Sequence, residues 1–190
     1  MNLTFEEKKI LLAAARKSIC SLFDEVIIEK PDYEKHPVLK SKAGAFVTLT
    51  EFEQLRGCVG YIIGEQPVFE TVCEAAIQAA SYDTRFSPVS KRELKDICLE
   101  ISILSEPFIL CSYDEIELGK HGLILEEKGK RGLLLPQVPI EHKMNKEEYL
   151  DAICRKSGFN STYWREKELK LKAFTAIVFS EEEFQNENRS

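Results

Sequence analysis

Apolar residues recur along this chain with two different spacings, and the changes from one spacing to the other divide it into elements. From residue 5 to residue 27 they recur every three or four positions, behind Thr4 and Glu7 in capping-box spacing, which predicts a long amphipathic helix. A second helix is predicted to open at Pro67, and a third to follow Asn145, whose side chain can cap the first turn. These helices separate groups of shorter apolar segments.

The shorter segments are bounded by glycine, proline or charged turns and are rich in β-branched and aromatic residues, which is typical of strands. They lie at 45–50, 55–60, 97–103, 108–111, 122–127, 132–135 and 174–179. Hairpins and helices in mixed order predict an α+β fold in which helices pack on a mostly antiparallel sheet.

A weak internal echo links the two halves of the chain. A glycine-led strand, a charged turn, the pair Arg56-Gly57, an apolar strand and a helix are answered by the same series around Arg131-Gly132. The echo predicts a duplicated strand–hairpin–helix unit, although a hydrophobic pattern shared by chance also explains it.

These elements predict a single domain over residues 1–180. We expect two lobes, roughly 28–105 and 106–180, with the helix at 5–27 packed on them. Residues 181–190 are rich in glutamate and asparagine, and we expect a disordered acidic tail there.

Composition narrows the class of protein. The chain has 190 residues, of which 44% are hydrophobic and 31% charged, as in ordinary globular proteins that bury a core without disulfides or metals. Its 26 lysine and arginine residues against 32 acidic ones give a net charge of -6. Broad, salt-driven binding to nucleic-acid backbones is therefore not expected, although a local basic groove stays open.

Cysteine use and the N-terminal segment bear on location. The earliest apolar run, Ile10–Ala15, is too short to cross a bilayer, so we expect neither a signal peptide nor a membrane span. The six cysteines are scattered singly, and we expect reduced thiols in a cytoplasmic protein. Without a Cys-x-x-Cys pair or a helical histidine pair, we predict no metal site unless the tertiary structure assembles one, and the sequence leaves the cofactor unknown.

The segment 55–60, Leu-Arg-Gly-Cys-Val-Gly, is the candidate site for chemistry. Strand alternation would place Arg56 and Cys58 on one face, where the positive charge would favour the reactive thiolate. Gly57 and Gly60 would let a ligand or another backbone approach closely. The structural alternative is equally simple, because a lone cysteine is often buried packing and a strand glycine often marks a bulge.

Several motifs taken together resemble the AMMECR-one domain family, which is also known as protein A of the AmmeMemoRadiSam system. The matching segments run in the family's order over about residues 8–181, and the block at 55–60 is the most specific of them. They are Gly-Ala-Phe-Val-Thr-Leu at 44–49, Leu-Arg-Gly-Cys-Val-Gly at 55–60, Asp-Thr-Arg-Phe-Ser-Pro-Val at 83–89, His-Gly-Leu at 121–123 and Leu-Pro-Gln-Val-Pro at 135–139.

The resemblance implies more about fold than about function. It implies a compact α+β protein with two lobes built from similar units. It also implies an association with a radical-SAM protein and a Memo protein, and a role in modifying RNA or another macromolecule, which is a lead and not a mechanism.

The family signature, carried over by position, falls on a defined set of candidate residues. They are Arg56, Gly57, Cys58 and Gly60, then Asp83, Arg85 and Phe86, and His121 with Gly122. Cys58 and His121 are the candidate catalytic residues, as thiol nucleophile or thiolate ligand and as acid/base partner. The candidates for substrate binding are Arg56, Gly57, Gly60, Asp83, Arg85 and Phe86. Among them Arg85 would anchor a carboxylate or phosphate and be held in place by Asp83.

Two classes of function follow, and the sequence does not choose firmly between them. The first is an enzyme or enzyme component in which Arg56 lowers the pKa of Cys58. The alternative is a non-catalytic ligand-binding or adaptor module for partner enzymes. Direct RNA binding is a weaker third hypothesis because of the acidic charge.

Overall fold

The computed structural model describes residues 1–187 and has an α+β fold, as predicted. The helices are α1 (Phe5–Cys20), α2 (Val68–Ser81), α3 (Val138–Glu141), α4 (Lys146–Lys156), α5 (Tyr163–Glu166) and α6 (Glu181–Glu187). The strands are β1 (Ala45–Glu51), β2 (Gln54–Tyr61), β3 (Ile97–Leu104), β4 (Phe108–Ile109), β5 (Gly122–Glu127), β6 (Lys130–Leu134), β7 (Leu171–Phe174) and β8 (Ala176–Ser180). Short 3₁₀ helices lie at Pro37–Lys40, Glu93–Lys95 and Tyr113–Glu115.

The chain divides into two compact units, each built around its own sheet. The first unit comprises Met1–Leu104 and the segment that begins at Ile177, and its sheet has the order β2-β1-β3-β8. The second comprises Ser105–Ala176, and its sheet has the order β4-β7-β5-β6.

The core of the first unit lies between α1, α2 and one face of its sheet. Alternate residues of β1, Val47 and Leu49, are fully buried, together with Val72 of α2 and Leu11 of α1. This alternation is what a strand with one covered face produces. The second unit has a separate core, in which Tyr149 of α4 is the largest fully buried side chain.

The two sheets repeat one arrangement, in keeping with the predicted duplication. In each unit, a hairpin is followed by a helix and then by a later strand, which pairs with the first strand of the hairpin. Register agrees as well, because Leu49 lies opposite Gly57 in the first hairpin and Leu125 lies opposite Gly132 in the second. Both hairpins turn over two residues with positive φ, 52–53 and 128–129, as type I′ turns require.

The predicted N-terminal helix is shorter than expected. Its capping box is present, since Glu7 accepts the Thr4 N–H at 2.8 Å, but α1 ends at Cys20 and not at residue 27. The Leu22 N–H reaches back only three residues, to the Ile19 carbonyl, which tightens the last turn into 3₁₀ geometry.

The predicted strand at 174–179 is two strands, β7 and β8, separated by Thr175. The Thr175 N–H donates to Ser105 Oγ at 2.9 Å, and its carbonyl accepts the Ser105 N–H at 2.8 Å. These bonds use the backbone groups that a continuous strand would have given to a ladder.

The expected disordered tail begins instead as helix α6. Arg16 of α1 donates from Nε to the Glu181 carboxylate at 2.9 Å, and acidic residues fill the first turn of α6, where the helix dipole favours them. Residues 188–190 lie outside the described residues. Within residues 1–187, no helix is long and apolar enough to span a membrane.

Candidate functional site

Cys58 lies on β2, the edge strand of the first sheet, opposite Thr48 of β1. Antiparallel pairs alternate between hydrogen-bonded and non-hydrogen-bonded, starting from a bonded pair at a two-residue turn. On that count Thr48 and Cys58 form a non-hydrogen-bonded pair, so the backbone N–H and carbonyl of Cys58 face the open edge of the sheet.

Asp83 and Arg85 occupy that edge. The Asp83 carboxylate accepts the Cys58 N–H at 2.9 Å, and Nη2 of Arg85 donates to the Cys58 carbonyl at 3.3 Å. One acceptor and one donor are what the next strand of a sheet would supply. At Cys58, the side chains of Asp83 and Arg85 therefore make the two hydrogen bonds that a neighbouring strand would otherwise make.

The two capping side chains are bound to each other. Nε and Nη2 of Arg85 donate to the two Asp83 oxygens at 2.9 and 2.6 Å, and the Arg85 N–H bonds the same carboxylate at 3.1 Å. Hydrogen bonds from Arg85 hold the pKa of Asp83 well below its usual range. The Asp83 side chain is 6% exposed whereas that of Arg85 is 55% exposed, with its guanidinium 5.5 Å from the centre of the Phe86 ring.

Arg56 forms hydrogen bonds to the loop that follows α2, and its charge does not act on the Cys58 thiol. It is the extra residue of a β-bulge, because Leu49 pairs with Gly57 while Thr50 pairs with Leu55. The strict alternation that would have put Arg56 beside Cys58 fails at such a bulge.

The Arg56 guanidinium binds three groups of that loop. Nε donates to Glu93 at 2.7 Å, Nη1 to the Ser87 carbonyl at 2.9 Å and Nη2 to the Pro88 carbonyl at 3.5 Å. Hydrogen bonds from Arg56 and, to a smaller extent, from Ser90 lower the pKa of Glu93 to about 2. Arg56 thereby ties residues 87–93 to the edge strand.

The Cys58 thiol is half-buried and is not activated. Burial raises the pKa of Cys58, and a hydrogen bond from Thr48 Oγ1 to Sγ at 3.3 Å and the charge of Arg85 offset this only in part. The expectation that Arg56 lowers this pKa is therefore wrong, because the pKa is raised and the arginine whose charge acts on the thiol is Arg85. Burial thus favours the neutral thiol over the thiolate.

The two glycines of the segment 55–60 are in close contact with other residues of this chain, and not with an open space for a ligand. A Cβ on Gly57 would collide with the Ala79 carbonyl of α2, and one on Gly60 would collide with Phe46 and the Ala45 carbonyl of β1. Close packing of helix and strand thus accounts for Gly57 without a ligand.

Thr48 and Glu100 complete a polar row that the sequence analysis did not single out. Thr48 pairs with Cys58 on one side and with Glu100 of β3 on the other, so hydroxyl, thiol and carboxylate lie side by side across the sheet. By alternation the row lies on the face opposite the buried Val47 and Leu49. The signal was present in the strands, because Thr48 and Glu100 each lie at a position that alternates with apolar residues.

His121 belongs to the second unit, just before β5, and is 7% exposed. Its Nδ1 accepts the Glu117 N–H at 3.2 Å, and its ring packs edge-to-face on Phe108 with centroids 5.4 Å apart. Its carbonyl lies 3.2 Å from the Tyr149 hydroxyl. These contacts hold the imidazole as part of its own unit's structure.

Two cavities of the first unit lie elsewhere. One, of about 510 Å³, is lined by Tyr61, Glu65 and Glu74 among others, and the Tyr61 hydroxyl donates to Glu74 at 2.6 Å. Burial and this bond raise the pKa of Tyr61 to about 12. The other, of about 380 Å³, lies between α1 and residues 28–36. Across residues 1–187, no three metal-ligating side chains come together.

Comparisons with known proteins agree on one family. Residues 12–179 match the model of the AMMECR1 family. A protein of Methanopyrus kandleri is 38% identical over 96% of this chain and 92% of its own length, and one of Thermofilum pendens is 35% identical over 95% and 92%. The crystal structure of an uncharacterised Pyrococcus horikoshii protein matches with a TM-score of 0.81 and 35% identity over 90% of each chain.

Proposed function

Because this chain belongs to the AMMECR1 family, we propose that it is a non-catalytic binding component of a macromolecule-modifying system, acting alongside radical-SAM and Memo-type proteins. In this function Arg85 binds an anionic group of a partner or substrate. One observation carries the proposal: Arg85 is fixed by Asp83 and Cys58, yet 55% of its side chain is exposed.

The geometry of Arg85 suits anion recognition. Its Nε and Nη2 are used by Asp83 and the Cys58 carbonyl, and Nη1 has no hydrogen-bond partner among residues 1–187. A guanidinium already fixed in place loses little freedom when it binds a carboxylate or phosphate. Phe86, against which the guanidinium lies, adds an aromatic surface beside the same group.

The state of Cys58 weighs against catalysis as the primary role. A nucleophilic cysteine needs a lowered pKa or an adjacent base, and the pKa of Cys58 is raised. The six cysteines of the chain are free thiols, which accords with a cytoplasmic site of action.

An enzyme with Cys58 as nucleophile is the second candidate. The hydrogen bond from Thr48 and the charge of Arg85 both favour the thiolate, and a shift of the Asp83 carboxylate away from the thiol on ligand binding would remove a charge that opposes them. In that case Cys58 would be indispensable, which separates the two functions experimentally.

The test is co-expression with the radical-SAM and Memo-type proteins of the same genome, followed by measurement of their association by sedimentation velocity. Arg85→Gln is expected to weaken association by about tenfold or more, because the anion loses its charged donor. Cys58→Ser and the matched control Arg92→Gln, which removes an exposed arginine of the same loop, should leave association unchanged.

Two results would reject the binding function. One is an Arg85→Gln variant that associates as strongly as the parent protein. The other is a Cys58→Ser variant that retains association but abolishes a modification carried out by the assembled system, which would establish the enzyme.

A further inference from the structure

The duplicated hairpins differ at their open edges. In the first unit, the outward backbone groups of Cys58 on β2 are taken by Asp83 and Arg85. In the second unit, β6 holds the equivalent edge position of its sheet. Leu133, opposite Ile124, corresponds there to Cys58, since each lies one residue beyond the glycine shared by the two hairpins.

Two residues of β6 direct their backbone groups outward. The turn at 128–129 makes Glu127 and Lys130 a hydrogen-bonded pair, so the pairs formed by Arg131 and Leu133 are non-hydrogen-bonded. A contact of β7 supports this assignment of the pairs. The Leu171 carbonyl accepts the Leu110 N–H and so points away from its partner Leu125 on β5, which leaves the backbone groups of Leu125 to bond Gly132 of β6.

These outward groups have no partner in the described chain. Among residues 1–187, no backbone or side-chain group hydrogen-bonds to them, and nothing corresponding to the Asp83–Arg85 pair lies against β6. Arg131 is exposed and Leu133 is half-buried. An unpaired strand edge of this kind is a template for an added strand.

We propose that the β6 edge binds an extended acidic segment of a partner protein, which adds to the second sheet as a further strand. Charge selects the occupant. Lys128, Lys130 and Arg131 are all exposed on this hairpin. Of its two acidic residues, Glu127 is held by Lys167, and Glu126 lies opposite Arg131 on β5, one strand inside the open edge, with no ion pair to Arg131 among residues 1–187.

The two lysines beside Arg131 are ordered near the same edge. Lys130 donates to the Gly158 carbonyl at 2.7 Å and lies 4.7 Å from the Phe159 ring centre, while Lys128 lies 5.4 Å from that of Tyr163. A second copy of this chain is a poorer occupant, because antiparallel pairing of two β6 edges about Gly132 would place Leu133, and not a carboxylate, opposite each Arg131. This surface is independent of the Arg85 site.

The probe is a short acetylated peptide that alternates glutamate with valine, added to the full-length protein. Amide hydrogen exchange read by NMR is expected to slow at Arg131 and Leu133, the two amides that would donate to the added strand. A lysine–valine peptide of the same length should bind about tenfold more weakly or not at all. Arg131→Glu should reverse this preference.

Lys172→Glu is the matched control. It makes the same charge change in the same sheet, but β7 is paired on both sides and offers no open edge. It should bind the acidic peptide as the parent protein does. An acidic peptide that leaves the exchange of Arg131 and Leu133 unaltered overturns the proposal, as does equal binding of the two peptides. Protection confined to β2 or β4 would also overturn it.

Discussion

The carboxylate of Asp83 accepts the backbone N–H of Cys58 at 2.9 Å, and this bond joins the segments 55–60 and 83–89, which are far apart in the sequence. Asp83 is fixed in turn by Arg85, which also reaches the Cys58 carbonyl. The edge of β2 is therefore closed by side chains and not by another strand, and the same arrangement leaves Arg85 facing solvent. A structural role for Asp83 and a binding role for Arg85 are thus compatible.

Acid should weaken this edge through Glu93. Arg56 and Ser90 together lower the pKa of Glu93 to about 2, so the carboxylate stabilises the fold above its ordinary pKa of 4.5. This contribution is lost as pH falls toward 2. We expect a loss of about 1–3 kcal/mol in unfolding free energy over that window. Urea titrations between these pH values measure it.

Glu93→Gln tests the assignment, because the variant should be less stable at pH 7 and should lose less stability on acidification. Glu25→Gln is the control, since Glu25 is exposed and forms no ion pair among residues 1–187. An acid profile unchanged by Glu93→Gln would remove Glu93 as the source.

Arg56→Lys should destabilise the protein by about 1–3 kcal/mol, although it keeps the charge. A lysine ammonium cannot reach Glu93 and the Ser87 carbonyl in the geometry that the planar guanidinium satisfies. Thermal unfolding measures the change, and Arg92→Lys, on an exposed residue of the same loop, should have no effect. Equal melting temperatures for the two variants would contradict a stabilising role for the hydrogen bonds from Arg56 to Glu93 and Ser87.

The duplicated glycines give a paired prediction. A Cβ at Gly57 would strike the Ala79 carbonyl, and one at Gly132 would strike Ser157 at the end of α4, so each alanine variant should lose about 2–4 kcal/mol. Gly129→Ala meets no atom within 4 Å and carries only the strain of a φ of 74°, so it should lose about 1 kcal/mol. Chemical denaturation ranks the three, and a Gly129→Ala loss as large as the others would rule out steric contact as the cause.

Sequence patterns predicted the elements well where local chemistry sets them. The capping box at Thr4 and the capping residue Asn145 predicted the starts of α1 and α4, and Gly158 adopts a positive φ just past the end of α4. The end of α1 was missed because a switch to 3₁₀ bonding after Ile19 leaves no signal in the apolar spacing.

The role of the candidate residues as a functional site stays a prediction, and the sequence did not show how they are connected. Arg56, Cys58, Asp83 and Arg85 do converge on one strand edge. The bonds that connect them, however, join side chains to backbone atoms more than twenty residues away in the sequence. In addition, the bulge at Arg56 breaks the strand alternation, so the cation that acts on the Cys58 thiol is Arg85 and not Arg56. Neither a main-chain acceptor nor a one-residue shift in register can be read from residue types.

Cys58 should be slow to react at neutral pH. Burial raises the pKa of its thiol, and Sγ already accepts a hydrogen bond from Thr48, so little thiolate is available. With limiting iodoacetamide at pH 7, peptide mass spectrometry should find Cys58 modified more slowly than the exposed Cys111. The Cys58 rate should rise as pH is raised above about 8.5, the ordinary pKa of a thiol. Faster alkylation of Cys58 than of Cys111 at pH 7 would instead indicate an activated thiol.

The turn of the first hairpin should be improvable, because its two residues are poorly suited to their conformation. Phe52 and Glu53 have φ values of 51° and 62°, where asparagine and glycine are favoured, and Phe52 is 77% exposed. Replacing the pair by Asn-Gly should raise the unfolding free energy by about 1 kcal/mol, since left-handed strain is relieved and little buried surface is lost. Lys128→Asn in the second hairpin, where Gly129 already fills the second position, should give a smaller gain. Urea denaturation compares the variants, and a less stable Asn-Gly hairpin would mean that Phe52 or Glu53 contributes contacts that outweigh the strain.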